Sequence, residues 1–89
     1  MKYTVVWKST AQQMLAELWL SATDRQIVAN AADRIDALLR ENPAGVGESR
    51  DGEARILLVQ PLGVDYRLHP DDQLVNVIAV WRFDPTARP

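Results

Sequence analysis

The chain has no cysteine, which excludes a disulfide framework and any zinc site built on thiolates. Lysine occurs only at positions 2 and 8, so the second half carries its positive charge entirely as arginine. No His, Asp or Glu cluster has metal-ligand spacing, and no Gly-rich loop could cradle a phosphate. These absences predict no metal and no cofactor. No apolar run approaches the length of a membrane span, and the opening MKYTVVWKST is broken by Lys8 before it reaches signal-peptide length. A soluble, cytoplasmic protein is expected.

What remains is an ordinary globular composition, 47% hydrophobic and 25% charged over 89 residues. That length predicts a single domain over 1–89, near the lower limit for one hydrophobic core. The net charge is −2, which weighs against generic nucleic-acid binding. Up to Gly47 the charges cancel, and the excess acid lies entirely beyond it. An anion site in the second half must therefore be local. Its candidates are arginines, whose planar fork suits phosphates and carboxylates.

The apolar pattern gives the order of elements. Tyr3 to Lys8 is rich in β-branched and aromatic residues and predicts a first strand. Ser9 with Gln12, and Thr23 with Gln26, have the spacing of capping boxes and predict two helix starts. Ala11, Met14, Leu15 and Leu18 repeat at helical spacing in the first helix, and Ile27, Ala31, Ile35 and Leu38 in the second, with Val28, Ala32 and Leu39 widening its stripe. Asn42-Pro43 ends the second helix. The stretch AGVGESRDGE reads as a polar loop with a tight turn at Asp51-Gly52. Three strands follow: Arg55 to Gln60, Val64 to His69 after a turn at Pro61-Leu62-Gly63, and Leu74 to Phe83 after Pro70-Asp71-Asp72. The prediction is a two-layer α+β domain, β-α-α-β-β-β, with a helical hairpin on one face of a small antiparallel sheet.

Strict alternation then sorts the side chains. Val64, Tyr66 and Leu68 fall on one face, with Asp65, Arg67 and His69 on the other. In the last strand Val75, Val77, Ala79, Trp81 and Phe83 form the more apolar set, and Asn76 and Arg82, accompanied by Ile78 and Val80, the opposite one. Arg55, Arg67, His69 and Arg82 would thus meet on the helix-free face. A one-residue slip would reverse that assignment.

The element order, with the run RILLV, then LGVDYR, then DDQLVNVIAVWRF, resembles the RelE/ParE superfamily of type II toxin–antitoxin toxins. The resemblance covers nearly the whole chain. It implies a compact bacterial toxin, chromosomal or plasmid-borne (a plasmid-stabilisation role), held inactive by a cognate antitoxin protein. RelE-like members are ribosome-dependent, metal-independent endoribonucleases acting on mRNA. ParE-like members instead inhibit DNA gyrase and have no nuclease site. Carried over by position, Arg67 follows the aromatic residue of the third strand and is the phosphate-binding candidate. Arg82 falls near the basic residue ending the last strand. Arg50 and Arg55 lie where the nucleases carry basic residues, as nucleic-acid- or partner-binding candidates. His69 is the single side chain whose ordinary pKa suits acid–base work near neutrality.

Each candidate also has a plainer account. Arg67 would pair with Asp65, Arg50 and Arg55 would be solvated or contact the antitoxin, and Arg82 would lie over Trp81. Trp7, Trp19 and Trp81 would be packing residues. At this point an endoribonuclease using Arg67, Arg82 and His69, a non-catalytic gyrase inhibitor, and an antitoxin-binding domain without toxicity all stay open.

Overall fold

A computed structural model of the chain describes residues 2–50 and 52–83. The elements are β1 (Thr4–Trp7), α1 (Ser9–Ser21), α2 (Arg25–Glu41), a short α3 (Pro43–Val46) and β2 (Glu48–Ser49). They continue as β3 (Ala54–Val59), β4 (Leu62–His69), a 3-10 turn (Pro70–Asp72) and β5 (Leu74–Arg82). The expected two-layer α+β arrangement is present. The sheet, ordered β1-β5-β4-β3-β2, is mixed instead of wholly antiparallel, because β1 runs parallel to β5. Parallel neighbours need a long crossover. Here everything between Trp7 and Leu74 supplies it, so β5 returns last and fills the space between β4 and β1.

The loop expected after Pro43 is more ordered than its glycines suggest. Pro43 opens the single turn of α3, where its fixed φ and missing N–H cost nothing. Gly52 has φ +59, as the expected turn at Asp51-Gly52 requires, while Asp51 lies outside the described residues. The turn expected at Pro61-Leu62-Gly63 is shorter, since β4 already starts at Leu62. Neither capping box forms. Lys8 and Asp24 occupy the cap positions without a side-chain cap. Gln12 instead donates to the Trp7 carbonyl at 2.8 Å.

The core lies between the helices and one sheet face. Val28, Ala31, Ile35 and Leu39 of α2 meet Val5, Leu57, Leu62, Val64, Tyr66, Val75, Val77 and Val80 of the strands. All four α2 residues lie within the expected stripe; at its edges Val28 and Leu39 are buried where Ile27 is exposed and Leu38 only partly buried. Full burial of each large aliphatic side chain contributes about 1.5–3 kcal/mol relative to exposure, so this face fixes the register.

Candidate functional site

One irregularity decides which residues share the open sheet face. Between β4 and β5, Asp65 pairs with Ala79 but Tyr66 pairs with Val77, so Ile78 has no partner on β4. This extra residue is a β-bulge, and it reverses the phase of every β5 residue beyond it. Val75 and Val77 face the helices, and so do Val80 and Arg82. Asn76, Ala79 and Trp81 face away, opposite Arg67, Asp65 and Gly63 respectively.

Arg82 is thus not brought to Arg67. It lies on the helical side and grips the Asp24 carboxylate at the start of α2 with two hydrogen bonds, 2.9 and 2.7 Å. Those bonds hold the Asp24 carboxyl below its ordinary range, burial opposing them. Arg55 is likewise turned inward, because its ladder partner is Tyr66. Its Nη2 donates to the carbonyls of Ala44 and Gly47 at 2.7 and 2.9 Å, and its Nε to the Tyr66 hydroxyl at 3.3 Å. That hydroxyl donates in turn to the Pro43 carbonyl at 2.7 Å. Arg55 therefore anchors α3 to the sheet. The expectation that four basic residues converge is corrected to two, Arg67 and His69, which share a face of β4.

Those two are not bare. Arg67 is bonded through Nη1 to Asp65, two residues back on the same face. His69 Nδ1 lies 3.9 Å from the Glu53 carboxylate. Arg50, just past β2, pairs with Glu48 at 3.3 Å. Among the described residues Arg50 and Arg67 thus each pair with an acid, and Ile56, Leu58, Ala79 and Trp81 give the same face apolar surface beside Asn76. Leu58 is 54% exposed. Trp81 lies over Gly63, where a Cβ would stand 2.6–2.7 Å from its indole. Trp81 is therefore an open-face residue, not part of the helix–sheet core.

The helical side carries a second apolar surface. A cleft of about 1010 Å3 runs between α1 and α2, lined by Trp7, Leu15, Trp19, Leu20, Val28 and Ala32, together with Asp33 and Asp36. Trp19 is 41% exposed, and the Arg25 guanidinium sits over its ring at 4.6 Å. Arg25 also donates to the Trp19 and Leu20 carbonyls, closing the end of α1. Trp7 is held by its indole N–H donating to Asp36 at 3.1 Å. Among the described residues no group of three or more His, Asp or Glu could hold a metal. No helix among them is long and apolar enough to cross a membrane.

No family model and no curated protein matches the sequence. Solved structures do. A chain of the RelBE2 toxin–antitoxin complex of Mycobacterium tuberculosis superposes with a TM-score of 0.77 at 21% identity, over 92% of this chain and 99% of that one. A chain of the chromosomal ParDE system of P. aeruginosa gives 0.69 at 14%, over 93% and 98%. The YoeB/ParE toxin of Agrobacterium tumefaciens gives 0.62 at 22%, over 91% and 98%. The two-layer domain with its five-stranded mixed sheet is therefore of a defined class. It has the RelE/ParE fold.

Proposed function

We propose that this chain is the toxin component of a type II toxin–antitoxin system, acting by binding a protein target and not by cleaving RNA. The observation that carries this reading is the pairing of Arg67 with Asp65 and of Arg50 with Glu48, with His69 lying 3.9 Å from Glu53. Metal-free RNA cleavage needs unspent positive charge where the phosphorane develops and a proton carrier beside it. Here Arg82 and Arg55 are engaged on the helical side, and Arg67 and Arg50 are each paired with an acid. A face on which Leu58 and Trp81 stand in one row across Gly63, next to the Arg67–Asp65 pair, suits a protein partner. A cognate antitoxin segment covering that face is the partner the reading requires, and DNA gyrase the target class, as in the ParE-like branch.

Arg67 and His69 sharing one face of β4 favours the second reading, ribosome-dependent cleavage of mRNA. Tightly controlled induction in a bacterial host separates the two. The expected outcome is growth arrest with gyrase-dependent DNA breaks, no new RNA ends, and rescue by the antitoxin from the neighbouring reading frame. Mapped RNA cleavage that Arg67→Ala abolishes would establish the nuclease reading instead. A well-expressed wild type that arrests nothing would remove the toxin reading and leave the fold.

A further inference from the structure

We infer that Asp65 is a built-in counter-anion for Arg67, and that it determines what the open face accepts by excluding polyanions such as single-stranded RNA. The two side chains stand on the same face of β4, two residues apart. β4 has strands on both sides, so neither backbone position can drift. Asp65 is flanked across the ladder by Ile56 and Ala79, and Arg67 by Ala54 and Asn76. None of these four carries a charge, so no neighbouring cation draws Asp65 off Arg67. The side chains are only 28% and 34% exposed, so solvent and salt screen the pair less than a fully exposed one.

Arg67 keeps unused capacity. Nη1 is bonded to Asp65 and reaches the Tyr66 carbonyl at 3.5 Å, while Nε and Nη2 have no hydrogen-bond partner among the described residues. A neutral acceptor, such as a backbone carbonyl of a docking protein segment, can take these donors. A phosphodiester reaching for the same donors meets the Asp65 carboxylate, and the like charges repel. The pair therefore selects by charge and not by shape. This inference concerns the face itself and holds whether or not the chain is toxic.

Fluorescence anisotropy with a short labelled uridine oligoribonucleotide at low salt tests it directly. Asp65→Asn keeps the shape and removes the charge. Its affinity for the RNA should rise about tenfold over wild type, the equivalent of one charge-assisted hydrogen bond. The salt dependence of log K should steepen by about 0.7, the signature of one added phosphate contact on a single strand. Asp33→Asn makes the same change in net charge at the helical cleft and should leave RNA binding unchanged. Asp65→Asn combined with Arg67→Gln should return to the wild-type value. Equal binding by wild type and Asp65→Asn would overturn the inference, and so would an equal gain from Asp33→Asn. Arg67→Gln alone should bind as weakly as wild type; a wild type that binds RNA through Arg67 would overturn it without any change at Asp65. Should Asp65→Asn lose its cooperative melt, Asp65→Ser replaces it under the same criteria.

Discussion

Replacing Tyr66 by Phe tests whether the buried hydroxyl, and not merely the ring, holds α3 to the sheet. Tyr66 is fully buried, and its hydroxyl donates to the Pro43 carbonyl at 2.7 Å while accepting from Arg55 at 3.3 Å. The Phe side chain keeps the ring packing but leaves a buried carbonyl without its donor. That loss costs about 1–3 kcal/mol. The Arg55 bond is the longest of its three, and Arg55 retains Ala44 and Gly47, so it adds little. A value of about 2 kcal/mol follows, which at about 4–8 °C per kcal/mol for a domain this size lowers Tm by roughly 8–16 °C. Urea unfolding should show the midpoint shifting with an unchanged slope, as for a pure stability change. Gly47→Ala supplies an internal check, because an added Cβ there runs into the Tyr66 hydroxyl, with the ring Cζ at 2.9 Å and the Ile56 carbonyl at 3.0 Å. With the hydroxyl removed, part of that crowding goes. Gly47→Ala should therefore cost at least about 0.5 kcal/mol less in the Tyr66→Phe background than in wild type. A Tyr66→Phe cost below about 0.5 kcal/mol, or strict additivity with Gly47→Ala, would refute the account of α3 as held through this hydroxyl.

Two further outcomes follow from the same geometry. Asp24→Asn should be less stable than wild type near neutrality, and thermal melts against pH should show the gap closing in acid. The folded-state pKa of Asp24 is depressed, chiefly by the hydrogen bonds from Arg82, so its contribution is complete above about pH 5 and disappears as pH falls through the depressed value. A gap that persists unchanged in strong acid contradicts this. Gly63→Ala places a methyl group into the Trp81 indole and should cost about 1–3 kcal/mol by overpacking, measured by thermal melting; Trp81→Ala in the same chain should recover part of it.

Much of this fold is legible because the periods are clear. The helical spacing in 11–18 and 27–39 and the alternation in 64–69 each have a distinct phase, and the structure follows both, with only Ile27 at the edge of the α2 stripe left exposed. The last strand is different. Val75 through Val80 is apolar at every position except Asn76, so alternation gives no phase across Ile78 and the bulge leaves no mark. Arg55 escapes a sequence reading for another reason. Its acceptors are backbone carbonyls of α3 and the residue after it, and α3 rests on Pro43 and a buried tyrosine more than on any helical pattern. Gly63 facing Trp81 is the one small–large pair that, compared across the ladder, points to an indole lying on the open face.

The bulge therefore bears on function as well as on packing. Without the extra residue at Ile78, Arg82 would stand on the same face as Arg67, at the far, Leu62 end of β4. With it, Arg82 takes Asp24, Trp81 takes the outward position, and the face loses a cation while gaining a large aromatic surface. A single guanidinium bonded to Asp65 presents less net positive charge than an unpaired one would, which supports protein binding as the proposed role. The partly buried Trp81 indole and the exposed Leu58, beside the Arg67–Asp65 pair, are the apolar surface on which the proposed protein partner would dock. One unpaired residue in β5 thus keeps Arg82 away from the open face and puts Trp81 on it, the arrangement on which the proposed protein-binding role rests.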